Sequence, residues 1–259
     1  MVTKYRKKWL IKSVRPLVRY VDEDQAVINV TFQIGGNDQA DVDLLKVHMK
    51  LVGPHKRIFT HQTSAELHNG DGAIHFSIGE PQRWWPAGMG GQELYSFTLT
   101  LLAGDKVVDK MTSTLGMTSV RTPKGDTQST LLVNGRQYDY QSVVSITPDD
   151  EKHILPVGGD SLLVIQDHFG PDVLFDAADR AGILLIQSVP LSRNVAGNSQ
   201  VRQQVDRLAA HPSLAGWLVN DHCRTGDRIA DRLHTLDPTR FIFRNLPQDP
   251  EDGLLTRCP

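Results

Sequence analysis

Cysteine is nearly absent: Cys223 and Cys258 are the two thiols in 259 residues. Such a pair builds neither a disulfide framework nor a zinc site, and a reduced, cytoplasmic setting is expected. Long apolar runs are missing as well. No stretch reaches the roughly 18 residues a membrane-spanning helix needs. The N-terminus has no uninterrupted apolar core of the secretory kind, which again points to the cytoplasm. Neither sign of charge is in excess, with 28 Lys and Arg against 30 Asp and Glu. That balance offers no field for nucleic acid or for an anionic membrane surface. A short basic run from Lys4 to Lys12 is broken by Trp9 and Leu10 and reads as a solvated lead-in to a strand. No cofactor is expected: Gly88-Met89-Gly90-Gly91 lacks the Lys-Ser/Thr of a phosphate loop and follows no strand-to-helix pattern.

What is present divides into two halves. Residues 1–123 alternate with period two. Residues 27–34 are rich in β-branched side chains and run into the turn cluster Gly35-Gly36-Asn37-Asp38. In 42–51, Leu45, Val47, Met49 and Leu51 alternate with Lys46, His48 and Lys50, giving a strand with one wet face. Asn69-Gly70-Asp71-Gly72 marks a turn, and 73–78, 95–101 and 106–111 alternate again. About seven short strands over roughly 100 residues predict an immunoglobulin-like β-sandwich. Within it, Trp84 and Trp85 stand side by side ahead of Pro86. As substrate-binding candidates, the indoles would form a platform for a sugar ring. The alternative is that they plug the sandwich end and pack on the next domain.

Residues 124–259 change period. Asn134-Gly135 marks a tight hairpin between 131–133 and 137–145. Leu162-Leu163-Val164-Ile165 is a continuous apolar run, as expected of a parallel strand covered on both faces, and ends on Gln166-Asp167-His168. Pro171 opens a helix at its first position, Val173, Leu174, Ala177 and Ala178 form its apolar stripe, and Gly182 caps it. Ile183-Leu184-Leu185-Ile186 follows as a buried strand. Helix 199–210 leads to strand 214–219, which stops on Asn220-Asp221, and helix 227–236 leads to strand 241–244. These βαβ units predict five parallel strands (143–146, 162–165, 183–187, 214–219 and 241–244). Pro156 and Gly158-Gly159 break any helix in 149–160.

The run Trp84-Trp85-Pro86, Gly88, Gly90, Gln92, Leu94, Tyr95 resembles the second, immunoglobulin-like domain of glycoside hydrolase family 2, which includes β-galactosidases, β-mannosidases and β-glucuronidases. Gly116-Met117-Thr118-Ser119-Val120 is similar to the strand that closes that domain, with Thr118 where the family carries Arg. Phe175-Asp176 through Asp179 to Ile183 and Asp237-Pro238-Thr239-Arg240 resemble segments of the family's (β/α)8 barrel. His211-Pro212-Ser213 through Asn220 resembles its fourth strand, where the family ends on Asn-Glu and the Glu is the general acid/base. Here the residue is Asp221.

The resemblance implies an immunoglobulin-like β-sandwich over 1–123 followed by a truncated (half) TIM-type (β/α) barrel over 124–259. On that reading the family's N-terminal jelly-roll and the barrel half bearing its nucleophile Glu are lacking. Retaining hydrolysis requires two carboxylates about 5 Å apart, and Asp221 is one methylene shorter than Glu. The expected function is therefore non-hydrolytic carbohydrate recognition or interaction. One alternative is an active retaining β-glycosidase completed by a partner chain or by further C-terminal residues. Another is a structural assembly module. Asp221 is the degenerate acid/base position beside Asn220, and Asp167, His168, Trp84, Trp85 and His222 are the substrate-binding candidates. No metal is expected, since neither Asp167-His168 nor Asp221-His222-Cys223 has diagnostic ligand spacing. A half barrel would leave apolar barrel-facing side chains and sheet edges open. That predicts a homodimer through the open face, or a cover formed by 246–259.

Overall fold

The structure is a computed structural model that describes residues 9–36, 45–64, 70–123, 130–147, 161–190, 198–220 and 224–246. It consists mostly of β-sheet and includes a parallel sheet. Seven antiparallel strands come first: β1 (Trp9–Val21), β2 (Gln25–Gly36), β3 (Leu45–Val52), β4 (Ile58–Ser64), β5 (Asp71–Gly79), β6 (Leu94–Ala103) and β7 (Lys106–Gly116). They form two sheets, ordered β1-β2-β5 and β4-β3-β6-β7. Alternation decides which side chains turn inward. Ala26, Ile28, Val30, Phe32 and Ile34 of β2 meet Leu45, Val47, Met49, Leu51, Phe97, Leu99 and Leu101 of the other sheet in one apolar core. Each of the larger side chains among these, withdrawn from water, contributes about 1.5–3 kcal/mol. The strand β4 has no counterpart in the sequence reading. Beyond Ile58 and Phe59 it is polar, and as an edge strand its register comes from pairing with β3.

A small sheet follows, made of β8 (Val120–Arg121), β9 (Leu131–Val133) and β10 (Arg136–Tyr138). The β9–β10 turn is of the expected kind, with positive φ at both Asn134 (49°) and Gly135 (82°). Its Asn134 amide is bonded at both ends: Oδ1 accepts from Ser119 N at 2.9 Å, and Nδ2 donates to Trp84 O at 2.9 Å. The single strand expected over 137–145 is two elements. β10 closes the hairpin, and β11 (Ser142–Ile146) enters the parallel sheet.

The parallel sheet runs in sequence order: β11, β12 (Ser161–Ile165), β13 (Leu184–Ser188), β14 (Leu214–Leu218) and β15 (Phe241–Phe243). All four pairings are parallel. Among the described residues three helices connect its strands: α1 (Asp172–Ala181), α2 (Asn198–Leu208) and α3 (Arg224–Leu236). Pro171 is the N-cap of α1 rather than its first helical residue, with extended backbone at φ −73° and ψ 157°. The helices lie on one face, where Leu163, Ile165, Leu185 and Trp217 pack with Phe175, Val205 and Leu233.

The other face is not open, contrary to the expectation that barrel-facing side chains would be exposed. Leu162, Val164, Leu184, Ile186 and Phe243 are each 0% exposed. They cluster with Trp84, Trp85, Val120, Leu131, Val133, Tyr138 and Tyr140. The double tryptophan and the hairpin thus cover the face from within the chain. Among the described strands, β11 and β15 are the two ends of this sheet. The broken stretch 149–160 and the tail proposed as a cover lie outside the described residues, except for Leu246, which packs partly buried against the same cluster. Among the described residues no helix is long and apolar enough to cross a membrane.

Gly182 joins α1 to the tryptophan loop. Its φ of 73° lies in the left-handed region, and its carbonyl accepts from Ala87 N at 2.9 Å. An added Cβ would come within 2.5 Å of that same Ala87 nitrogen. Gly182→Ala is therefore expected to destabilise the fold by about 1–3 kcal/mol, from a strained φ and a backbone clash together. Urea unfolding with an unchanged midpoint would refute this account.

Candidate functional site

In parallel α/β sheets the C-terminal strand ends face the loops that carry chemistry. Here those ends are strongly polar. β12 continues into Gln166, Asp167 and His168, β13 closes on Gln187 and Ser188, and β14 is followed by Val219 and Asn220. Asp167 is exposed, and its φ of 60° is the left-handed conformation that Asp tolerates better than most residues. The turn around it is held tightly. His168 Nδ1 lies 2.6 Å from Gln166 O, so the ring nitrogen donates. Gln166 Nε2 donates to Ser145 Oγ at 2.7 Å, which ties the turn to β11.

Gln187, which the sequence reading missed, organises this end. It is fully buried, behind the apolar residues Leu184, Leu185 and Ile186 of its strand. Its Oε1 accepts from Gly170 N at 3.0 Å, and its Nε2 donates to His168 O at 2.7 Å and to Ser188 O at 2.6 Å. One amide thus clamps the loop after β12 against the end of β13. The available signal was a polar residue closing a buried strand, the same cue that singled out Asn220. Asp167 and His168 stand one strand away from the exposed Asn220, with β13 between them. Asp221 and His222 lie outside the described residues.

The two tryptophans are not at this end and present no platform. Trp84 is 0% and Trp85 8% exposed. Trp84 Nε1 donates to Asp179 O at 2.7 Å, and the guanidiniums of Arg83 and Arg136 each lie 5.0 Å from a Trp85 ring centroid. The packing alternative replaces the sugar-platform reading, because burial and cation–π contacts occupy the rings.

The opposite end of the sheet holds a buried polar network. Asp179, 1% exposed, accepts from His211 Nδ1 at 2.7 Å and from Ser213 N at 3.0 Å. His211 O accepts from Arg240 NH2 at 3.2 Å, and Leu214 O from Arg240 Nε at 2.6 Å. Asp237 accepts from Trp217 Nε1 at 3.0 Å and from Thr239 Oγ1 at 2.6 Å. Burial holds the Arg240 guanidinium below its ordinary pKa, and the charges of Asp237 and Asp179 oppose that shift. Asp176, Asp179 and His211 bring ligand atoms within 4.8 Å of one another, the one cluster of metal-ligand type among the described residues. Both Asp179 oxygens are already taken by protein donors, which fits an internal brace.

The three segments around Asp179, His211 and Asp237 that carry the sequence resemblance therefore meet in this network, together with Trp84. Over residues 11–117 the chain matches the model of glycosyl hydrolases family 2. It is 27% identical over 170 residues to an exo-β-D-glucosaminidase of Streptomyces avermitilis, covering 54% of this chain and 19% of that enzyme. It is 26% identical over 173 residues to β-mannosidase A of Emericella nidulans, covering 53% of this chain and 18% of that enzyme. This chain is a glycoside hydrolase family 2-like protein. Among solved structures, a β-glycosidase from Bacteroides vulgatus superposes with a TM-score of 0.71 at 16% identity, over 91% of this chain and 33% of that one. The family 2-like chain thus spans about a fifth of the length of these curated relatives.

Replacing Gln187 by Leu in the family 2-like protein should remove the acceptor of the Gly170 N–H and a donor to the His168 carbonyl. An unpaired buried group costs about 1–3 kcal/mol, so a lower melting temperature and faster hydrogen exchange at the Gly170 amide are expected. Unchanged exchange there would mean that the clamp is not what holds the loop.

Proposed function

We propose that this protein recognises carbohydrate at the C-terminal edge of its parallel sheet and does not hydrolyse it. The observation that carries the reading is the close of β14 on Asn220-Asp221, where the resembling family has Asn-Glu. Productive geometry for a general acid tolerates little displacement, and a carboxyl withdrawn by one methylene, about 1.5 Å, is poorly placed. The described strand ends support the same view. Immediately after the strands, Asp167 is the one carboxylate among the described residues, beside amides, a hydroxyl and an imidazole. Such groups suit hydrogen bonding to sugar hydroxyls better than paired acid and nucleophile chemistry.

The finer architecture belongs to this proposal. The two antiparallel sheets read as an immunoglobulin-like domain over 1–123, and the parallel sheet reads as part of a (β/α)8 barrel over 124–259. Asp167, His168, Asn220, Asp221 and His222 would form the recognition surface, in a cytoplasmic protein. Homodimerisation would run through β11 and β15, which end the order of the parallel sheet, since the sheet's second face is covered.

The second reading is a retaining β-glycosidase completed by a partner chain or by residues beyond this sequence. The hydrolase names of the matched relatives favour it. Titration calorimetry with β-linked oligosaccharides, run beside turnover assays on nitrophenyl β-glycosides, separates the two. Binding without turnover is expected, weakened about tenfold or more in Asn220→Ala. Turnover that falls a hundredfold or more in Asp221→Asn, with binding retained, would establish the enzyme instead. Light scattering on the same samples reads the oligomer: a mass near the 28.8 kDa of one chain would exclude the dimer.

A further inference from the structure

A cleft of about 370 Å3 opens at the other end of the molecule, between β1, β8 and the loop into β15. It lies away from the C-terminal strand ends and has no part in the function proposed above. Three guanidinium groups line it: Arg19, Arg121 and Arg240. Ser119, Thr122 and Thr239 add hydroxyls.

The arginines reach the cleft for local reasons. In β1 the register with β2 slips between Val18, opposite Ile28, and Tyr20, opposite Val27. Arg19 is the extra residue of this β-bulge, a feature that re-aims a side chain. Regular alternation would send neighbours to opposite faces, yet Val18 and Arg19 both line the cleft. Arg121 follows Val120 in β8. Val120 is buried in the core, so Arg121 faces outward and is exposed.

Arg240 forms the floor and is 7% exposed. Its hydrogen bonds go to Leu214 O, His211 O and Thr239 Oγ1. Among the described residues none goes to a carboxylate, although the charges of Asp237 and Asp179 act on the group. Asp237, the nearest in sequence, spends its oxygens on Trp217 Nε1, Thr239 N and Thr239 Oγ1. A guanidinium carries five N–H donors, so two on Arg240 have no acceptor among the described residues. A buried charge is ordinarily paired by direct hydrogen bonds to its opposite. Arg19 and Arg121 likewise make no ion pair among the described residues.

We propose that this cleft binds an oxyanion, a sulfate, phosphate or carboxylate group, with Arg240 at its floor and Arg19 and Arg121 as its jaws. Planar guanidiniums match oxyanions through paired N–H bonds. The hydroxyls of Ser119 and Thr122 equip the cleft for an anion carried on a small polyhydroxy molecule. Two sources share this chemistry, a free inorganic oxyanion and an acidic sugar.

The test is titration calorimetry of the full chain with sodium sulfate, sodium glucuronate and glucose. Binding of sulfate, glucuronate or both at millimolar concentration or tighter is expected, weakened by added chloride, with none for glucose. If glucuronate binds tenfold more tightly than sulfate, the source is an acidic sugar. The reverse order points to the inorganic ion. The double variant Arg19→Ala/Arg121→Ala changes exposed side chains, so its melting temperature should hold while anion affinity falls tenfold or more. Failure of both anions to bind overturns the proposal. So does equal affinity in the double variant, or glucose binding as well as glucuronate. Oligosaccharide recognition at the far end of the sheet would be untouched by any of these results.

Discussion

One buried carboxylate ties the molecule together. Asp179 sits in α1, yet its side chain accepts from His211 and from the backbone of Ser213 at the entry to β14. Its own carbonyl accepts the Trp84 indole from the loop before β6. Three segments far apart in sequence thus satisfy one another in a place that water does not reach. An unpaired group there would cost about 1–3 kcal/mol, and more if charged. The network is therefore complete or very costly, which couples the register of the parallel sheet to the seating of the tryptophans. With Trp84 seated, Trp85 and the hairpin β9–β10 close over Leu162, Val164, Leu184 and Ile186.

The two ends of the parallel sheet are built on different principles. At the N-terminal ends, polar groups are paired inward, through Asp179, His211, Asp237 and Arg240. At the C-terminal ends, Gln187 is spent on holding the loop after β12, and that leaves Asp167 and Asn220 facing solvent. Rigidity behind and polar groups in front is the arrangement a recognition surface requires, because affinity is lost when a loop must be ordered on binding. The same division explains why the family likeness and the candidate surface are separate matters. Most of the matching residues, among them Trp84, Asp179, His211 and Arg240, support the fold.

Much of the fold was legible because hydrophobic periodicity reports burial directly. The five parallel strands lie within a residue or two of their expected positions, since continuous apolar runs such as Leu162 to Ile165 have few other uses. Gly182 ended its helix where expected, because a left-handed cap favours glycine. The strand β4 was not legible, as an edge strand of polar residues carries no alternation to read. The break between β10 and β11 was missed because both pieces have strand character, and the partners differ only in space. At the strand ends, the sequence cue singled out Asp167, His168 and Asn220, which do follow β12 and β14. It passed over Gln187, whose role depends on a loop 17 residues away in sequence.

By itself the sequence determined the order and kind of most elements, the likeness to family 2 and the polar close of β12 and β14, because these are local patterns of size, polarity and turn chemistry. Tertiary structure alone decided what each tryptophan faces, that the sheet's second face is covered, and that Arg19, Arg121 and Arg240 share one cleft. Those outcomes rest on contacts between residues up to some two hundred positions apart, and no local pattern encodes such distances.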